Sequence, residues 1–281
     1  MNILEVQFLR RLVLPLFARF NPGDVTIKHH HTGERFRLHS FRHKGYWYHG
    51  RNRERDSMAL FKKLIAPGDT VVEVGGHIGY VSLLFLQLAG EGHVFVFEPG
   101  DNNLPYIRRN LEGRGIELIE KAAGDHTGTA RFFIESLTGQ NNSFVENFDG
   151  LRLNRQYAGV GKVDVRTVEV EMVRLDEWAQ QRDLHVDFVK IDVEGYEWNV
   201  LQGMLGIVRD MRPRLMVEVQ RDRKEILDCL TQEGYLLFSS LLLVAERPEH
   251  LRSNVFALHR EKHCEQIAAL GLQRRAEAVR A

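Results

Sequence analysis

Cysteine is nearly absent from this chain of 281 residues, and the two present, Cys229 and Cys264, lie far apart without metal-type spacing. That excludes a disulfide framework or a structural zinc site and makes a reducing compartment the default. Long apolar runs are missing too. No uninterrupted stretch of about 18 apolar residues occurs, so a transmembrane helix is not expected. Arg10, Arg11 and Pro15 break the N-terminus where a signal peptide needs an apolar core, and a cytoplasmic location is expected. Charge of one sign is lacking as well: 38 Lys and Arg face 38 Asp and Glu, so no global field attracts nucleic acid. No internal repeat is visible. What remains is ordinary, 43% hydrophobic and 27% charged residues, enough for one large α/β domain with an extension.

The charge is unevenly placed, however. Residues 1–55 carry eleven Lys or Arg against four acids, and six of the thirteen His lie between His29 and His49. Residues 1–20 alternate apolar side chains with Arg10, Arg11 and Arg19, the pattern of a short basic amphipathic helix broken near Pro15. Such a helix either packs as a lid on the main domain or contacts a membrane surface or a partner. Residues 21–48 read as short strands and turns, with Pro22-Gly23, Thr32-Gly33 and Lys44-Gly45 as turn signals. Successive residues of a strand face opposite sides, so His29, His30 and His31 are expected to form a solvated basic edge and not a metal site. Tyr46, Trp47 and Tyr48, near Arg51, Arg53 and Arg55, fit either a wall for an anionic or carbohydrate substrate or a seam against the core.

Residues 68–82 organise the rest: Gly-Asp-Thr-Val-Val-Glu-Val-Gly-Gly-His-Ile-Gly-Tyr-Val-Ser. A β-branched strand ends in Glu73, glycines follow at Gly75, Gly76 and Gly79, and an apolar helix starts at Tyr80. A strand, a glycine turn and a helix N-terminus make a pocket for a nucleoside. The order Glu73-x-Gly-x-x-x-Gly breaks the G-x-G-x-x-G spacing of dinucleotide sites, and suits a cofactor with a charged amino-acid tail and no pyrophosphate, such as S-adenosylmethionine. A second strand ends in Glu98, 19 residues after Gly79, the spacing of an acid that accepts from ribose hydroxyls. Residues 101–113 read as a helix capped by Asp101, and a third strand leads to Asp125, a candidate for the adenine amine. Residues 128–134 look like an added strand, and residues 135–162 form a polar loop of the kind that carries substrate specificity. Then Asp192 and Glu194 stand at the carboxyl end of a buried strand, and Glu218 near the end of the next. Glu197 is expected to cap the following helix. Strands alternating with helices from residue 70 to 220, closed by two more strands, predict a doubly wound, mostly parallel α/β sheet with an antiparallel closing strand.

Against that background the chain resembles the FkbM family of S-adenosylmethionine-dependent O-methyltransferases, over roughly residues 58–258. The matching stretches are residues 68–82, Phe97-Glu98-Pro99, Asp-Phe-Val-Lys-Ile-Asp-Val-Glu-Gly-Tyr-Glu at 187–197, Val-Leu-Gln-Gly at 200–203 and Arg-Pro-Arg-Leu-Met-Val-Glu at 212–218. Glu73 stands where the family usually has Asp, and His77 where it usually has Asn. The resemblance implies a class I methyltransferase (Rossmann-like) fold. It implies that Glu73 and the turn of Gly75, Gly76, His77 and Gly79, leading into Tyr80, hold the methionine end of the cofactor, with Glu98 on the ribose. It also implies a hydroxyl acceptor on a sugar, glycan precursor or related natural product. Such a hydroxyl must lose its proton, and Asp192, Glu194 and Glu218 sit where a base would act. Alternatively, Asp192 and Glu218 hold Mg²⁺, which lowers the acceptor's pKa.

The expected organisation is a basic arm or lid (residues 1–57), the methyltransferase domain (58–260) and a helical tail (261–281) that packs or forms a homodimer contact. Two rival readings remain: an NAD-dependent oxidoreductase, since Glu98 serves either cofactor, and a catalytically silent scaffold.

Overall fold

A computed structural model describes Phe20, residues 22–146 and residues 164–272. The amphipathic helix expected over residues 1–20 (Phe20 apart), the polar loop from residue 147 to 162 and the tail from residue 273 lie outside these. The most apolar segments pair into one seven-stranded sheet. Its members, in chain order, are β3 (Thr70–Val74), β4 (His93–Phe97), β5 (Ile116–Ile119), β9 (Phe188–Ile191), β10 (Arg214–Val219), β11 (Tyr235–Ser239) and β12 (Ser253–His259), and the spatial order is β11-β12-β10-β9-β3-β4-β5. The five strands from β10 to β5 run parallel. The closing strand β12 lies antiparallel to both β10 and β11. This is the doubly wound, mostly parallel α/β sheet with an antiparallel closing strand that the sequence predicts. The order reverses at β3, which touches β4 on one side and β9 on the other, and that is where such sheets open a crevice at their carboxyl ends.

Central strands covered on both faces read as continuous apolar runs. β3 is buried at every position and so is β9, yet each contains one charge, Glu73 and Lys190. These two are register partners across the β3–β9 ladder. Helices α2 (Arg55–Leu64) and α3 (Tyr80–Ala89) cover one face, where Phe61, Phe85 and Phe188 meet at ring-centroid distances of 5.0 to 5.9 Å. α5 (Leu175–Gln180) covers the other and brings Trp178 onto Phe95 and Phe97. The helix after β4, α4, spans Leu104–Leu111. It starts behind Asn103 with Pro105 in its first turn, so Asp101 is not its cap and instead pairs with Arg166. Among the described residues no helix is long and apolar enough to cross a membrane. A second sheet, β6 (Ala122–Ala123), β8 (Val165–Val173) and β7 (Gly128–Glu135), is built from the added strand and the alternating segment read from the sequence.

The basic arm forms a hairpin, β1 (Asp24–Lys28) with β2 (Arg35–His39), followed by a short helix α1 (Lys44–His49) where a turn was expected. Phe36 and Leu38 are fully buried in the same apolar cluster as Phe61 and Tyr80. A side chain from the main domain holds the backbone of β2 at Arg37. Asn110 of α4 accepts from the Arg37 N–H at 2.8 Å and donates to the Arg37 and Ile78 carbonyls at 2.9 and 2.8 Å. Asn110→Ala leaves these buried groups unpaired, and a loss of ~1–3 kcal/mol in unfolding free energy is expected from urea titration. The three histidines do not form a solvated edge: His29 is buried, and His30 and His31 are half-buried. His29 donates through Nε2 to the Tyr80 carbonyl at 3.0 Å, while its Nδ1 accepts from the Thr32 N–H. Burial pulls its pKa down to about 4, so it is neutral. His30 meets the Tyr80 hydroxyl at 3.0 Å. Both therefore fasten the arm to the first turn of α3.

Candidate active site

The carboxyl ends of β3, β4, β9 and β10 surround a cavity of about 180 Å³ that opens to solvent. One wall is the glycine turn. Gly75 has φ +88°, and a Cβ there would lie 1.8 Å from the Asp192 carbonyl oxygen, so only glycine lets the turn cross the end of β9. The N–H groups of Gly75 and Gly76 both point to the Phe97 carbonyl. The next N–H, from His77, reaches Glu98 Oε2 at 2.7 Å. Gly100 N–H and Asn103 Nδ2 satisfy the other oxygen at 2.8 and 3.2 Å. Burial pushes the Glu98 carboxyl up to about 7, against these hydrogen bonds. The buried Oδ1 of Asn103 meets no donor among the described residues.

Below the turn runs a charge ladder. Lys190 Nζ lies 3.2 Å from Glu73 and 3.1 Å from Asp192, and also donates to the Gly75 carbonyl at 3.3 Å. Ser82 donates to Glu73 at 2.5 Å. Burial would neutralise Lys190, but Asp192 and Glu73 outweigh it and keep the ammonium charged. Glu73 is thus committed to Lys190 and Ser82, 1% exposed and off the cavity wall, contrary to the role expected for it.

Opposite the turn, oxygens of Asp192, Glu194 and Glu218 all lie within 4.8 Å of one another. Gln220 Nε2 bridges Glu194 at 2.8 Å and Glu218 at 3.2 Å. Burial alone would raise Asp192, but Lys190, a hydrogen bond from Glu218 and Arg53 hold it below the ordinary range. Its negative charge, with burial second, pushes Glu218 far up. Burial and then Asp192 push Glu194 up as well. The cluster therefore holds an ionised Asp192 beside a protonated Glu218. Glu194 has φ +53°, a strained conformation for a non-glycine residue at a site wall. Glu197 does not line the cavity. It opens α6 (Glu197–Gln202), whose N-cap Tyr196 makes no side-chain capping bond, and accepts from the Gly195 N–H at 2.8 Å, a bond to the preceding turn in place of the cap expected.

The structure thus brings Gly75, His77, Glu98, Asp192, Glu194 and Glu218 to one cavity. Gly76, Gly79, Tyr80 and Asp125 do not line it. Gly76 faces Val96, Gly79 begins α3 with φ +83°, and Tyr80 is packed under the arm. Asp125 is taken by Asn199 at 2.8 Å and His126 at 2.7 Å, which corrects its assignment to the adenine. Sequence reasoning missed Lys190, Gln220 and Asn103, and left Tyr46 and Arg53 between a substrate wall and a seam against the core. Lys190 alone left a signal, since a cation inside a fully buried strand requires partners. Tyr46 and Arg53 line the cavity, and the polar loop contributes Gln140, Asn141 and Asn142.

A family model described as "Methyltransferase FkbM domain" matches residues 73–237, more than half of the chain. Methyltransferase 1 of Beauveria bassiana is 23% identical over 193 residues, 65% of this chain and 76% of that protein. The 2-O-methyltransferase NoeI of Sinorhizobium fredii is 24% identical over 163 residues, 53% of this chain and 61% of its own length. Among solved structures, Methyltransferase FkbM from Methylobacillus flagellatus KT overlaps with TM-score 0.42 at 16% identity, over 71% of this chain and 50% of that one. Aeropyrum pernix fibrillarin overlaps with TM-score 0.43 at 14% identity, over 83% and 88%. The strand-end acid pair of Asp192 and Glu194, the Gly75 turn and Glu98 all fall inside the matched span, and the chain belongs to the FkbM methyltransferase family.

Proposed function

We propose that the chain transfers a methyl group from S-adenosylmethionine to a hydroxyl of a sugar, glycan precursor or related natural product. The observation that carries this is the cavity itself, with a nucleoside-type wall on one side and three interacting carboxyls on the other. The donor wall fits the cofactor. Glu98 and the buried Asn103 Oδ1 are acceptors in the same wall, and ribose hydroxyls donate to such groups. S-adenosylmethionine, when bound, supplies an electrophilic methyl group. The protein's own task is to orient the acceptor and take its proton. The carboxyl cluster takes that proton as a unit, because its members titrate together. An amine acceptor needs no base of this kind, and the likeness to NoeI, a 2-O-methyltransferase, supports oxygen as the target.

The oxidoreductase reading is weaker because the turn lacks pyrophosphate spacing. Against a silent scaffold, the carboxyls keep opposed protonation states at the cleft, as catalytic acids and bases do. Mg²⁺ at Asp192 and Glu218 is supported only by the proximity of oxygen ligands, and Lys190 with the shared proton already balances much of that charge. The full chain is expected to bind S-adenosylhomocysteine and not NAD⁺ in calorimetry. Its transfer of labelled methyl to hydroxylated glycan acceptors should persist in EDTA. Binding of NAD⁺ alone sinks the donor assignment, and loss of turnover in EDTA restores the metal.

A further inference from the structure

His77 sits at the centre of the donor wall in a conformation it would not choose alone. Its φ is +50°, the left-handed region that glycine favours. That backbone turn aims its N–H at Glu98 Oε2, 2.7 Å away. The side chain is held at both ring nitrogens. Nδ1 lies 2.8 Å from the Tyr46 hydroxyl, and Nε2 faces the Thr138 carbonyl at 3.4 Å. A carbonyl only accepts, so Nε2 carries the proton and Nδ1 accepts from Tyr46. Burial, and then the Arg53 charge, pull the His77 pKa down to about 3, and burial raises Tyr46 to about 12. Both therefore stay in the protonation states this pairing needs. The Tyr46 ring stacks on His77 at an interplanar angle of 18° and a centroid distance of 5.8 Å. Arg53 lies over the same Tyr46 ring at 4.4 Å.

We propose that Tyr46 is a positioning residue of the donor site, holding His77 in the turn that presents its N–H to Glu98. This rests on the donor assignment above. It makes the N-terminal arm a working part of the site, since α1 supplies a contact on which the ribose carboxylate depends. Arm docking and donor binding are then linked, and linkage is reciprocal: donor must tighten the arm by as much as the arm tightens donor.

Tyr46→Phe keeps the ring, its stack and its contact with Arg53, and removes only the hydroxyl. Calorimetry on the full chain should show S-adenosylhomocysteine bound about tenfold more weakly, the expected effect of one lost hydrogen bond to a buried acceptor. The KM for S-adenosylmethionine should rise by the same factor, with kcat and the acceptor KM little changed. His77→Asn alone and His77→Asn with Tyr46→Phe should bind the ligand equally, because the hydroxyl acts only through the imidazole. In the unsubstituted chain, S-adenosylhomocysteine should raise hydrogen-exchange protection over residues 35–49. Unchanged affinity in Tyr46→Phe, additive effects in the double variant, or protection that ignores the ligand would each overturn the assignment. Absence of binding by the unsubstituted chain would overturn the donor reading, and this assignment with it.

Discussion

Replacing Asp192 by Asn is expected to slow methyl transfer by about 10²–10⁴-fold, the usual contribution of a positioned general base. The substitution keeps the shape of the side chain and removes the one carboxylate that the cluster holds ionised. Lys190 retains Glu73 as a partner, and the donor wall of Gly75, His77 and Glu98 is untouched. S-adenosylhomocysteine affinity should therefore hardly move while single-turnover transfer collapses. The pH profile supplies a second check. A base works when deprotonated, so activity rises with pH through the apparent pKa of the cluster. Asp192 is the largest cause of the upward shift of Glu218 and a lesser cause of that of Glu194. Without its charge, those groups deprotonate more easily, and the residual activity of the variant should rise at lower pH than that of the parent. Turnover within tenfold of the parent, or an unmoved acidic limb, would remove the cluster from the proton-transfer step.

What the sequence makes legible here is periodicity and sequential spacing. β3, β9 and β10 are read correctly because strands buried on both faces leave unbroken apolar runs, and their ends place Asp192, Glu194 and Glu218 at one edge. Gly75 is legible because a backbone crossing admits no other residue. Partnerships between distant positions are not legible in this way. Glu73 was assigned to the cofactor because it ends its strand before a glycine turn, but its register partner 117 residues later is a lysine, and a buried carboxylate pairs with the nearest cation. Asp125 follows the third strand as expected, but Asn199 claims it from another helix. In the His29 to His31 run His29 is buried and its neighbours are half-buried, because Tyr80 offers a carbonyl to His29 and a hydroxyl to His30. Tyr46 and Arg53 precede the domain in sequence and reach its site only through the hairpin's packing on α3 and α4.

Lys190→Met should cost ~3–5 kcal/mol of unfolding free energy near pH 8, the penalty for stranding buried charge by removing one partner. Met matches the length of Lys and fills the same space, so the loss reports charge more than packing. Lys190 is 2% exposed and Glu73 1%, so water cannot replace the lost contact. The sign of the pH dependence separates this from an ordinary core defect. In the parent, Lys190 and the hydrogen bond from Glu218 depress Asp192, whose stabilising contribution is present above its unfolded pKa of about 3.9 and is lost as pH falls through the folded value. Glu73 is raised by burial even with Lys190 present. In Lys190→Met both carboxyls are raised by burial, and a raised carboxyl costs stability progressively as pH climbs above its unfolded value. The deficit relative to the parent should therefore be widest at pH 8 and shrink toward pH 5, where both acids take up protons. Urea unfolding at the two pH values measures it directly. Adding Glu73→Gln to Lys190→Met should recover part of the loss at pH 8, because it removes the deeper of the two stranded charges. A deficit equal at both pH values would mean that Lys190 acts by filling space, and that the ladder from Glu73 to Asp192 does not set the ionised state on which the site depends.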